Sequence, residues 1–138
     1  MATSRLVCLD VGERRIGVAV ADTAVRIAIP VETIEVDGTE YARIVKRLWL
    51  EGASQLVVGY PRNQQGEATK QTTYVEHFIE ELRKTEGFTA TVAFQDESLT
   101  SVLAEQRLVS YKKPYTKADI DAQAASIILQ DYIEEHYG

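Results

Sequence analysis

Apolar residues along this chain fall into two rhythms. Leu6 to Leu9 and Leu56-Val57-Val58, within Gln55 to Tyr60, are unbroken runs that suit strands buried on both faces. Between them, Ile16, Val18 and Val20 alternate with Gly17, Ala19 and Ala21. That pattern predicts a strand with one large face for the core and one small face that leaves room for a close neighbour. Gly12 and Glu13-Arg14-Arg15 form the tight reversal between the first two strands. Val25 to Ile34 reads as a third strand, with Pro30 marking an edge or a bulge. Helical spacing then takes over. Tyr41, Ile44, Val45, Leu48 and Trp49 form one stripe after the turn Asp37-Gly38-Thr39, ending near Gly52, with Trp49 assigned to the core. Tyr74, Val75, Phe78, Ile79 and Leu82 form a second, ended by Gly87. Thr91 to Gln95 is a short strand closed by Asp96-Glu97. Helices from Thr100 to about Val109 and from about Lys117 to His136 flank the loop Ser110 to Tyr115.

The order is βββαβαβαα. A hairpin-linked group of three strands precedes two strands reached through helical crossovers, which should lie parallel to the first. The expectation is one α/β domain over residues 1–138, a mixed five-stranded sheet flanked by helices. In such sheets ligands bind beyond the carboxyl ends of the parallel strands. Asp10, Gly59 to Pro61, and Glu97 all fall at that edge.

Composition narrows the classes without choosing among them. The apolar fraction of 45% supports a real core, and no apolar stretch approaches the ~20 residues of a membrane span. With no secretory h-region, a cytoplasmic protein is expected. Cys8 lies inside a buried strand and reads as a core residue; His77 and His136 are far apart and suggest no zinc site. A net charge of −6 argues against broad electrostatic binding of nucleic acid. The acids, however, concentrate on two helical segments, whereas Arg14, Arg15, Arg62, Lys112, Lys113 and Lys117 lie in or near loops.

Asp10, Glu97 and Asp121 are the candidate carboxylate cluster. A carboxylate at the tip of a central strand costs several kcal/mol if buried without partners. Two carboxylates ~4 Å apart repel by roughly 4 kcal/mol at an effective dielectric of 20. Bound Mg²⁺ or Mn²⁺ relieves both costs, and such ions serve phosphodiester hydrolysis by activating water and stabilising the leaving oxygen. Any one of these acids alone is more simply a helix cap or an arginine partner; three converging by topology point to a site. Asp22 is different. The returning strand carries it roughly 20 Å from Asp10, so it belongs to a turn. Asp119 also has a structural task, as the third residue of a helix capped by Thr116, whereas Asp121 shares the apolar face of Ala124, Ala125 and Ile128.

Nucleic-acid contacts are expected from Arg14, Arg15 and Arg62, and from Tyr111, Lys112, Lys113 and Tyr115. In that last loop lysines can neutralise phosphates and tyrosines can stack on unpaired bases; an ordinary polar loop stiffened by Pro114 accounts for the pattern equally well. Arg14 and Arg15 would steer a phosphate backbone towards the acids, or simply offset their charge.

Four blocks, in order, resemble one family. They are Leu9-Asp10-Val11-Gly12 with Arg15-Ile16-Gly17-Val18-Ala19; Val57-Val58-Gly59-Tyr60-Pro61 with Gly66; Asp96-Glu97-Ser98-Leu99-Thr100-Ser101; and Ile120-Asp121-Ala122-Gln123-Ala124-Ala125. Together they look like the motifs of the YqgF, or RuvX, family, whose members are labelled Holliday junction resolvases or pre-16S rRNA nucleases. The resemblance implies an RNase H-like fold, a divalent metal held by Asp10, Glu97 and Asp121, and nuclease activity in 5′-end maturation of small-subunit ribosomal RNA, on a ribosomal precursor particle. Ser98 and Ser101 stand where many relatives have Arg and Thr, which leaves the acids intact and removes the phosphate contact that the arginine would make. Two alternatives remain open: a resolvase of branched DNA, and a non-catalytic RNA- or ribosome-binding factor that would not need all three acids. A single-domain ATPase is a distant third, because the Asp-x-Gly hairpin of sugar kinases and actin-like ATPases normally works in pairs of domains. The chain alone does not choose between monomer and homodimer.

Overall fold

Asp10 and Gly17 face each other across the first hairpin, the register that sets up the rest of the molecule. The hairpin is β1 (Arg5–Val11) and β2 (Arg15–Asp22), and β3 (Ile29–Glu35), α1 (Glu40–Glu51), β4 (Gln55–Pro61), α2 (Lys70–Arg83), β5 (Thr91–Glu97), α3 (Thr100–Ser110) and α4 (Lys117–Tyr137) follow. This computed structural model describes residues 4–63, 65–97 and 100–137, and leaves the side chains of 100–102 undescribed. Ser98 lies outside the described residues, as does the side chain of Ser101, and with them the family departure noted there.

The sheet runs β3-β2-β1-β4-β5. The first three strands form the antiparallel meander, and β4 and β5 add in parallel to β1, as the element order predicts. The third strand starts later than its apolar residues suggest. Asp22 Oδ1 accepts the amides of Ala24 and Val25 at 2.9 and 2.6 Å, and Arg26 stands at φ +64°. The chain therefore turns until Ile29. Pro30 proves to be on an edge strand and beside a register shift opposite Val18 and Ala19.

Alternation along the strands separates two cores. Val7, Leu9, Val11, Ile16, Val18, Val20, Leu56 and Val58 pack against Ile44 and Leu48 of α1 and Val75, Phe78, Ile79 and Leu82 of α2. On the opposite face, Leu6, Cys8, Ala19, Ala21 and Val57 receive Ala125, Ile128, Leu129, Tyr132 and Ile133 of α4. Ala104 of α3 covers the other side of α4 at Ala124 and Ile127. Ala122 to Leu129 are consequently all buried, which fits a helix enclosed between two layers.

Two further expectations need correction. Trp49 is 78% exposed, not core. Consecutive helix residues are about 100° apart, so burying Ile44 and Leu48 swings Trp49 out of the stripe. The second helix ends at Arg83 rather than at Gly87, although the amides of Lys84 and Thr85 still bond back to Glu81 and Leu82 before Gly87 turns the chain at φ +87°. Gly52, in the left-handed conformation, ends α1 as expected.

Candidate active site

The site is assembled by two glycines on either side of Asp10. On β2, Gly17 is the register partner of Asp10, and a Cβ there would overlap the Asp121 carbonyl. The small face of β2 therefore admits the backbone of α4 itself, and α4 brings Asp121 to the level of Asp10. On β4, a Cβ at Gly59 would overlap Glu97 Oε2 and crowd Ile128 Cδ1. The bare backbone of Gly59 thus gives the Glu97 side chain its path across β4 towards β1. Strand β5 runs through Asp96 and Glu97, pairing Pro61 with Glu97, so Glu97 stands at a strand end like Asp10. A glycine within an otherwise apolar strand is the signal that points to such close approaches.

Electrostatics sort the three acids. The Asp10 carboxyl is pushed up to about 8, first by burial and then by the negative charges of Glu97 and Asp121. Burial raises Glu97 as well. Its Oε2 is buried without any hydrogen-bond partner, an arrangement that folding alone does not favour. The Cys8 thiol beneath them is raised by burial and by both acids, consistent with an inert core cysteine. Asp121 is held differently: Arg15 Nε donates to its Oδ2 at 2.7 Å, with both side chains partly exposed. Among the described residues, no three His, Cys, Asp or Glu side chains are gathered closely enough to surround one ion. The structure joins Asp10 to Glu97 and sets Asp121 beside them, in the hand of Arg15.

The donor set fits a hard divalent cation. Two half-buried carboxylates, one with a buried, orphaned oxygen, offer what such an ion takes and gain what they lack. Asp119 does what its position predicts: Oδ2 accepts the Thr116 amide at 2.8 Å while Thr116 Oγ1 accepts the Asp119 amide at 3.3 Å. Asp22 is paired with Arg5 in register, at the far end of the hairpin from Asp10.

The basic candidates are dispersed around this edge. Arg14 is exposed in the β1–β2 turn. Arg15 is committed to Asp121. Arg62 pairs with Asp96 at 3.1 Å and lies over the Tyr60 ring at 4.9 Å. Tyr111, Lys112 and Lys113 are exposed in the loop before α4, with Lys112 at φ +57°. Tyr115 is half-buried and donates to Glu105 Oε2 at 2.8 Å.

Comparison with known proteins follows the same line. A family model described as RuvX, Holliday junction resolvase, matches residues 4–135. A protein of Chloroflexus aurantiacus, provisionally named a pre-16S rRNA nuclease, is 44% identical over 133 residues, covering 94% of this chain and 86% of that one. Two solved structures share the fold. One is Thermus thermophilus RuvC with a Holliday junction substrate, with TM-score 0.56, 16% identity and coverage of 98% and 96%. The other is Fowlpox virus resolvase with Holliday junction DNA, with TM-score 0.57, 10% identity and coverage of 95% and 97%. No described helix is long and apolar enough to cross a membrane.

Proposed function

Because the chain belongs to the RuvX, or YqgF, family of Holliday junction resolvases, we propose that it is a divalent-metal-dependent nuclease acting in 5′-end processing of pre-16S rRNA. The carrying observation is the half-buried Asp10–Glu97 pair at the ends of β1 and β5, with Glu97 Oε2 itself buried and unpartnered. Asp10 and Glu97 would hold Mg²⁺ or Mn²⁺, and Asp121 would complete the set from the first turns of α4. When bound, the ion supplies an activated water and charge stabilisation at the leaving oxygen. The chain's own residues do the rest. Gly17 and Gly59 keep the acids within reach of one another. Arg15 fixes the Asp121 carboxylate through Nε and offsets one negative charge beside a polyanionic substrate. Arg14, Lys112 and Lys113 are the exposed cations that would meet phosphates, with Tyr111 and Tyr115 flanking them. Asp10 must lose its raised proton before it can ligate.

The RNA substrate and the precursor particle follow the name of the 44% identical relative. Branched DNA is the second reading, favoured by the family description and by the resolvases that share the fold. A cleavage panel decides: structured ribosomal precursor RNA, single-stranded RNA and four-way DNA junctions, each with Mg²⁺, Mn²⁺ or EDTA. Cleavage of the precursor RNA with either metal and none in EDTA is expected. Cleavage confined to junction DNA would transfer the assignment to the second reading, and binding without cleavage would make the protein a non-catalytic factor.

A further inference from the structure

The face of the sheet opposite the acids carries, at the same strand ends, a cluster that folding does not explain. Tyr60 and Phe94 are diagonal neighbours on β4 and β5, with ring centroids 5.1 Å apart in an edge-on arrangement. Arg62 lies over the Tyr60 ring at 4.9 Å, and Asp96 holds it there at 3.1 Å. Leu56 and Val58 on the same face enter the core beneath α1 and α2, with Val92 packed against it, but Phe94 is 42% exposed and Asp96 more so. The apolar core thus stops one step short of the strand ends. An exposed phenylalanine on an edge strand is a liability unless something covers it.

We infer that Tyr60, Phe94 and Arg62 form a stacking platform for one unpaired nucleobase of the substrate, next to the scissile phosphate. This deepens the nuclease reading and rests on it for the position of that phosphate. Two observations select a base as the occupant. Asp96 neutralises Arg62, so the cluster offers ring faces and a planar guanidinium rather than a free positive charge; that chemistry recognises a base, not a phosphate. The platform is also continuous with the acid site. Tyr60 follows Gly59 and Asp96 precedes Glu97, and side chains alternate across the sheet, so the two sites lie on opposite faces of one edge. A strand crossing that edge would set its phosphate by Asp10 and Glu97 and its neighbouring base on Tyr60 and Phe94. A paired base is already stacked in its helix and is unavailable, so the nucleotide beside the cut must be unpaired.

The test is a set of single-stranded RNA oligonucleotides carrying 2-aminopurine at successive positions. They are bound to the full chain in EDTA, and the same RNAs are then assayed for cleavage with Mg²⁺ and Mn²⁺. Fluorescence quenching is expected at one or two adjacent positions. Tyr60→Leu and Phe94→Leu should lose it and bind about 5- to 100-fold more weakly, whereas Tyr60→Phe should keep both quenching and affinity. Melting temperatures near wild type will show that the loss is not unfolding; the exposed Phe94 carries the test if Tyr60→Leu does not fold. Wild-type affinity in both leucine variants, or no quenched position, overturns the platform. Cleavage without quenching overturns the platform and leaves the nuclease reading standing. Quenching without cleavage of any substrate does the reverse.

Discussion

The two faces of the sheet use the same strands for opposite ends. Towards α1 and α2, β1 and β4 present Val7, Leu9, Leu56 and Val58, large residues that are fully buried and need no further account. Towards α4 they present Leu6, Cys8 and Val57, and then change character at Asp10 and Gly59. There the packing gives way to a half-buried acid pair with one buried, orphaned oxygen. The first face is filled for burial as far as Val58. The other retains charge and bare backbone where a folding protein would place valine. Here local rules are broken at the strand ends where a ligand is expected.

The largest expected effect lies on the second face. Asp10→Asn, and equally Asp121→Asn, should abolish cleavage of whichever substrate the panel identifies while leaving circular dichroism unchanged. Cleavage by Asp10→Asn at the wild-type rate, in a preparation free of contaminating nuclease, would sink the site. The next test sets one face against the other. Leu9→Ala should cost about 2–5 kcal/mol of stability through a core cavity yet keep specific activity at low temperature. Gly59→Ala should cost less, about 1–3 kcal/mol, because the flexible Glu97 side chain can yield. Its activity should nevertheless fall steeply, since Glu97 yields away from Asp10. Urea melts beside single-turnover rates measure both, and equal activity losses in the two variants would erase the contrast.

That contrast also separates what was legible in the sequence. The element order, the parallel and antiparallel pairings and the ends of β1 and α1 follow from residue periodicity and turn chemistry. The small face of β2 correctly announces a close neighbour, which proves to be α4 at Gly17. Convergence of Asp10 and Glu97 follows from topology alone. The pairing of Arg15 with Asp121 does not, because it depends on how deeply α4 settles onto Gly17, a tertiary distance that no local pattern encodes. Trp49 misleads for a related reason. An apolar stripe lists candidates for burial, but the rotation of the helix decides which of them is covered: with Ile44 and Leu48 turned inward, Trp49 points out. Val25 and Ile27 look like strand residues until Asp22 captures the following amides.

A smaller effect reads the cost of the acid pair directly. Asp10 titrates near 8 in the folded protein and near 4 when unfolded, so between those values the folded state holds a proton that the unfolded chain has released. In EDTA, stability should therefore fall as pH rises from about 4 to about 8. Glu97, raised in the same direction, adds to the slope. Asp10→Asn should flatten it, and Glu97→Gln should leave the metal-free fold as stable or more stable, by about 1 kcal/mol. Mn²⁺ affinity should climb across the same window as the proton is displaced. Thermal melts against pH measure the slope. A sharp loss of stability in Glu97→Gln would mean that its carboxylate makes a structural hydrogen bond.

The smallest expected effect belongs to Asp119, two residues from a proposed ligand. Its carboxylate and the Thr116 hydroxyl exchange bonds with each other's backbone amides, which closes the N-terminus of α4. It also sits at the positive end of that helix. These contacts are a sufficient reason for an acid at this position, and all of them are exposed to water. Asp121 lies half a turn further on, over Gly17 and against Arg15, facing the acids. Asp119→Asn should accordingly lose at most about 1 kcal/mol of stability and keep most of its cleavage rate. Asp121→Asn should show the opposite balance, with the fold retained and the rate gone. Melting curves and single-turnover cleavage on the two variants side by side test this. An inactive Asp119→Asn beside an active Asp121→Asn would exchange their roles and show that α4 presents a different face to the metal than the Arg15 pairing indicates.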